Sequence, residues 1–504
     1  MRVLTYLCLM TFYCSTLWSD VSLPAAQKQQ KKGGAQQSAE QKSPANKIER
    51  ASLALVSVKQ TVSKSAYEDT IAVSKGGFIF DKERGWVITT VGPVGYGASM
   101  SSYEITFAGG QKVEAKSLYI DPLYDIQVLV YDAKKLFLPV HQLNVFAKEV
   151  HVDEDMLLLN RSDEEAVALP STVSQLYDHT GVLPKHVLRI SLNVPSAKIG
   201  GVAINKKGEI LGMTLSVSQT FAHVLHRRYL EEVVSALKKS QQPKRMVLKD
   251  AVVTSMSLSD AVKYLHFPKK RLEAFLSRYP NAFASGLMVV RAKDTSVLQV
   301  GDVVVALNNK SCGPSLSRFQ QRLSRESKGT VELSVVRYGK VVKLSCKTLD
   351  AWPHVINKMI LFGGAMFYEA DLMMHLLYEV PLKTLMVSKA LPGSVFSGVF
   401  SAFPSRDPVS VARIMRFDQT KVENLQDVEK LIPVFSQKPY FSVFYKDYSC
   451  AVMGGTLTTN RAPRVGFVDF VASTSIPEKL SWSAAKHEWV VEPIVVEGQS
   501  CAVS

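Results

Sequence analysis

Cysteine is scarce in this chain, with 6 among 504 residues. Cys8 and Cys14 fall in an N-terminal apolar run, while Cys312, Cys346, Cys450 and Cys501 are widely separated and form no CxxC pair. That spacing excludes a disulfide framework and a zinc site, so no metal or cofactor is expected. One bridge, from Cys312 to Cys346, stays open. Long hydrophobic runs are missing too: beyond residue 14 nothing approaches the roughly 20 apolar residues of a membrane-spanning helix. Acidic side chains are outnumbered, 45 against 60 Lys and Arg, for a net charge of +15. A solvated basic surface accounts for this, with weak contact to anionic surfaces and no nucleic-acid partner expected. What is present is globular: 46% hydrophobic and 21% charged residues exclude disorder of the whole chain.

The order of segments follows from composition. Met1-Arg2 and the apolar run Val3–Cys14 have the form of a secretory signal peptide over residues 1–25, which predicts an exported, periplasmic or secreted protein. Residues 26–50 are rich in Gln, Lys, Ser and Ala and read as a flexible basic linker. Short alternating runs across 51–240, among them 71–80, 86–90, 126–131 and 210–216, predict an all-β unit. Leu230, Val233, Val234 and Leu237 then recur at helical spacing. Gln241–Arg245 reads as a short polar linker before a unit over 246–350. In that unit Gly301-Asp302 and Asn308-Asn309 mark turns, and Leu316, Phe319 and Leu323 mark a helix. A further unit spans 355–460, with Asp418-Gln419 at a turn and Leu425, Val428 and Leu431 as a helix stripe. Residues 461–504 form a tail without a motif.

The stretch Asn193-Val-Pro-Ser-Ala-Lys-Ile-Gly-Gly-Val-Ala-Ile-Asn-Lys-Lys-Gly-Glu-Ile-Leu-Gly212 resembles the nucleophile loop and following strand of HtrA/Deg-type trypsin-like serine proteases. The family pattern is Gly-Asn-Ser-Gly-Gly-Pro-Leu-x-Asn, a short spacer, then Gly-Glu-x-Ile-Gly. Gly85-Trp-Val-Ile-Thr-Thr-Val-Gly-Pro-Val94 resembles its histidine segment, and Asp121-Pro-Leu-Tyr-Asp125-Ile-Gln-Val-Leu129 its aspartate segment. Ser285–Val290 and Val300–Lys310 resemble a PDZ domain of the same family, and 355–460 a more divergent PDZ-like unit. The implied fold is mainly β: a chymotrypsin-like double β-barrel followed by two PDZ-like α+β domains.

Carried over residue by residue, the resemblance leaves the site depleted. Ile199 takes the nucleophile position and Gly92 the histidine position, and only Asp125 remains of the triad. Ile199 has no hydroxyl to attack a carbonyl, and Gly92 has no base to accept a proton. Ala197 and Lys198 replace the glycine and asparagine before the nucleophile, where the oxyanion hole forms. The expectation is a catalytically degenerate member that binds extended or C-terminal peptides of envelope proteins as a chaperone, adaptor or assembly partner. The peptide groove would lie between Ala251, Val252, Val253 and Thr254 and the helix bearing Leu316, Phe319 and Leu323. The resemblance also implies a homo-oligomer built on trimers. An active HtrA-like endopeptidase of envelope protein quality control is the alternative.

Overall fold

Period-two burial builds the first barrel. Along β5 (Lys112–Ile120) Val113, Ala115, Ser117 and Tyr119 are buried, while Lys112, Glu114 and Lys116 face solvent. With β1 (Leu55–Ser63), β2 (Thr70–Asp81), β3 (Trp86–Thr90), β4 (Met100–Thr106) and β6 (Ile126–Tyr131) it closes in the order β1-β2-β3-β6-β5-β4. A second closed barrel contains β7 (Asp155–Arg161), β8 (Ala166–His179), β9 (Lys185–Ser191), β10 (Val202–Asn205), β11 (Ile210–Val217) and β12 (Phe221–His226), in the order β10-β11-β12-β9-β8-β7. Closure removes the unpaired edges that an open sheet would expose. This computed structural model describes residues 44–63, 70–91, 100–161, 165–179, 185–191, 198–218, 220–279, 285–372, 374–375, 380–387, 390, 394–400, 412–447, 464–469, 477–483, 485–486 and 488–495. The expected signal peptide lies outside them. The protein is mainly β, with a double barrel of the chymotrypsin-like kind.

The third unit is a sheet of seven strands. Its path is β13 (Met246–Leu248), β19 (Lys340–Asp350), β18 (Thr330–Arg337), β16 (Val303–Leu307), β15 (Ser285–Ala292) and β14 (Ala251–Ser257), with β17 (Lys310–Ser311) paired to β16. Asn308 and Asn309 adopt φ of 46° and 62° at the expected turn, a backbone region that asparagine tolerates. The fourth unit is a nine-stranded sheet. It contains β20 (Lys358–Phe362), β21 (Ala365–Glu369), β22 (Leu385–Val387), β23 (Ala412–Phe417), β24 (Thr420–Lys421), β25 (Tyr440–Asp447), β26 (Arg464–Asp469), β27 (Glu478–Ser483) and β28 (Glu488–Pro493). The helix Leu425–Phe435 starts at a capping box of Asn424 and Asp427 and buries Leu425, Val428 and Ile432. Under it Phe362, Phe367, Phe396, Phe417 and Phe441 meet in edge-to-face and stacked contacts.

Three expectations need correction. The linker over 26–50 is helical from Pro44: α1 (Pro44–Ser52) buries Ala51 against the barrel core, so apolar contact offsets its ordering entropy. The motif-free tail supplies β26 and the β27–β28 hairpin, where Trp482 and Trp489 face each other across the strands at 5.8 Å. The fourth unit therefore extends past residue 460.

The third correction concerns the polar linker Gln241–Arg245, which ends in a buried joint. Arg245 is 1% exposed, and its Nε and Nη2 donate to Asp121 Oδ2 at 2.9 and 2.7 Å. Its Nη1 donates to Glu232 of α2 (Arg227–Leu237) at 2.9 Å, and the guanidinium lies over the Tyr124 ring. Asp121 also accepts from Tyr119 Oη and from the Leu123 and Tyr124 amides. On the exit side Ala351 N donates to Arg245 O, and Trp352 Nε1 donates to Pro243 O. The largest core cluster accordingly runs from both barrels through α2 to Val247, Ala351 and Leu372.

Candidate functional site

Two glycines fix the loop around Ile199. Gly200 has φ of +80°, and a Cβ there would lie 2.1 Å from the Gly76 carbonyl oxygen. A Cβ on Gly201 would lie 2.0 Å from the Asn160 amide. Only glycine allows both approaches. Hydrogen bonds hold the rest: Gly76 N donates to Ile199 O at 2.8 Å, Gly200 N to Thr214 O at 2.8 Å, and Thr214 N to Gly201 O at 2.8 Å. Asn160, 2% exposed on β7, turns its amide so that the nitrogen donates to Lys198 O (3.1 Å) and the oxygen accepts from Lys198 N (2.9 Å). The Ile199 side chain is half-buried and that of Lys198 is exposed. Gly92 and Ala197 lie outside the described residues.

The first barrel brings the aspartate segment to the same place. Asp125 adopts φ of 60°, and its carbonyl accepts from Val91 N at 3.3 Å, tying the aspartate turn to the end of β3. Thr89 Oγ1 donates to Gly76 O at 2.7 Å, so β3 also touches the strand that holds Ile199. Val91, Asp125 and Ile199 thus gather around the Lys75-Gly76 segment of β2.

Lys75 is the residue that sequence reasoning missed. It is 1% exposed inside the first barrel, and Nζ donates to Gln60 Oε1 (2.9 Å), Gln127 Oε1 (3.1 Å), Val91 O (3.1 Å) and Thr90 O. Burial pushes its ammonium down to about 7, and the Asp125 carboxylate opposes that fall. A lone lysine between Val73 and the Gly76-Gly77 pair was the available signal. Its ring of acceptors ties the amine to the segment that leads into Gly92. Ile199 offers no hydroxyl, and the Lys75 amine is enclosed by oxygens, so neither can serve as a nucleophile from where it stands. Elsewhere, Ser216 Oγ lies 3.0 Å from His223 Nδ1 as a cross-strand pair of β11 and β12.

The expected peptide groove is divided. β14 lies at one end of its sheet path, bonded to β15 with a bulge between Val252 and Val253. Ala251 and Val253 turn into the core, whereas Val252 and Thr254 are half-buried. On α5 (Leu316–Glu326), Leu316, Phe319 and Leu323 are at most 1% exposed and pack in the unit's own core. Their helical spacing reflects core packing, which corrects their expected place on a groove wall. Cys312 and Cys346 share that core as free thiols, and burial pushes them up to about 12 and about 11. No group of three or more potential metal ligands occurs among the described residues.

No protein-family model matches the chain. It is 28% identical over 193 residues to an uncharacterized Rickettsia prowazekii protein, RP187, covering 37% of this chain and 99% of that one. It is 22% identical over 381 residues to the pro-apoptotic serine protease NMA111 of Candida glabrata, covering 71% of this chain and 37% of that protein. The chain is similar to HtrA-type serine proteases. A Coccidioides immitis NMA111 shows 20% identity over 341 residues, and this HtrA-like chain spans about a third of the fungal proteins it matches (33% of that one). Among solved structures, the HtrA-type protease AlgW with decapeptide superposes with a TM-score of 0.44 and 15% identity, over 61% of this chain and 98% of that one. A serine endoprotease from Yersinia pestis gives a TM-score of 0.41 at 16% identity, over 62% of this chain and 99% of that one.

Proposed function

We propose that this chain is a non-catalytic HtrA-like protein, exported to the periplasm or the exterior, that binds peptides as a chaperone, adaptor or assembly partner. Ile199 carries the reading. An apolar side chain stands at the nucleophile position of a loop whose main chain is held by Gly76, Asn160 and Thr214. On the resemblance, the loop's main chain is held in place while its reacting group is gone. The units over 246–350 and from 355 onward act in this reading as PDZ-like modules. The outer side of β14 takes an extended peptide by strand addition, with Val252 and Thr254 beside it. Clients are extended or C-terminal peptides of envelope proteins, and the working form is a trimer-based homo-oligomer.

One observation favours an active endopeptidase as the second reading: the hydroxyl–imidazole pair Ser216–His223 lies at hydrogen-bond distance, 3.0 Å. Casein digestion and a fluorophosphonate serine probe separate the two. The expected result is neither cleavage nor labelling. Labelling that is lost in Ser216→Ala would replace the binding reading with the enzymatic one. A peptide array without preference for free C-termini would remove the strand-addition mode.

A further inference from the structure

Between α2 of the second barrel and α5 of the third unit lies a cleft of about 690 Å³, within the ~300–1,000 Å³ of small-ligand sites. Its walls carry Arg228, Glu231, Glu232 and Ser235 from α2, Lys244 from the joint, and Arg325 from α5. The two carboxylates are already answered. Glu231 pairs with Arg227 at 2.6 Å, and Glu232 Oε1 pairs with Arg245 at 2.9 Å.

The three cations are not. Arg228 donates to the Ser317 hydroxyl and Lys244 to the Ser327 carbonyl, both uncharged acceptors. No carboxylate among the described residues pairs with Arg228, Lys244 or Arg325. Arg228 Nε is buried without an acceptor, and Glu232 Oε2 is buried without a donor. Counting the paired Arg227 and Arg245 together with their partners Glu231, Glu232 and Asp121, five cations face three carboxylates, which leaves two positive charges around one concavity. Low-dielectric walls concentrate such a potential. Guanidinium forks with a lysine point charge and a hydroxyl make a donor set suited to phosphoryl oxygens.

We infer that this cleft between barrel and third unit binds a small phosphoryl-bearing anion, with Arg228, Lys244 and Arg325 as its cationic contacts. Such a ligand would touch both folded units at once. It would stabilise their mutual placement in proportion to its occupancy.

Titration calorimetry of the full chain with pyrophosphate at constant ionic strength tests this. Saturable one-site binding is expected, with affinity falling about tenfold or more in Lys244→Gln/Arg325→Gln. Both side chains are exposed, so the variant keeps its fold, and an unchanged melting temperature without ligand checks that. Lys134→Gln/Lys135→Gln removes equal charge from the first barrel and is expected to leave the affinity unchanged. Equal losses in the two variants, or no saturable binding, would overturn the site. Citrate binding more tightly than pyrophosphate would overturn the phosphoryl assignment.

Discussion

Lys75 should make the first barrel more stable in alkali, against the usual trend. Its ammonium falls from an ordinary 10.5 to about 7 on burial. Between those two values the unfolded chain binds a proton that the folded barrel does not, so unfolding free energy rises with pH across that window. The gap multiplied by 1.36 kcal/mol per unit gives roughly 4–5 kcal/mol, fully gained only above the unfolded value. The perturbation is Lys75→Met, which keeps the aliphatic stem and removes the titrating group. Urea unfolding of both proteins, followed by tryptophan fluorescence from about pH 6 to about pH 10, gives two stability curves. Their difference cancels every other titration and the fixed cost of the substitution. Wild type should gain on the variant by about 1 kcal/mol per pH unit above neutrality. A difference that stays flat would refute the reasoning, because it would mean that the ammonium keeps its ordinary affinity for the proton inside the ring of four oxygens.

Two other substitutions test parts of the frame. Arg245→Met leaves the Asp121 carboxylate, 0% exposed, without its cation, and should cost ~3–5 kcal/mol in thermal or urea unfolding, most of it recovered by adding Asp121→Asn. Gly200→Ala drives a Cβ to 2.1 Å from the Gly76 carbonyl at φ of +80°. It should destabilise by about 2 kcal/mol or more and raise hydrogen exchange at Gly76, whose amide bonds Ile199.

Local signals in the sequence located local structure. The Asn308-Asn309 and Asp418 turns all show positive φ, because asparagine and aspartate accept a left-handed backbone more readily than most residues. Helical periodicity placed Leu316, Phe319 and Leu323 on one face of α5. It could not say whether a core or a ligand covers that face, since both favour the same apolar stripe. Lys75 was illegible for a related reason: one lysine in a strand reads as solvated, and its acceptors come from β1, the end of β3 and β6. The tail was missed because β27 finds its partner in β20, far back in the chain. The loop shape at Ile199 was legible through Gly200-Gly201, whereas the Asn160 clamp that holds Lys198 comes from a distant strand.

The Arg245–Asp121 joint also bears on how the chain is made. The two partners are separated by 124 positions, so a growing polypeptide presents Asp121 long before Arg245 leaves the ribosome. Both barrels can emerge while that carboxylate still lacks its cation. Full consolidation of the first barrel waits for the first residues of the next unit. The joint thus couples the first barrel to a segment made much later. It also restrains modular evolution: a gene fusion that exchanged the third unit but dropped Arg245 would strand a buried charge in the barrel it left behind.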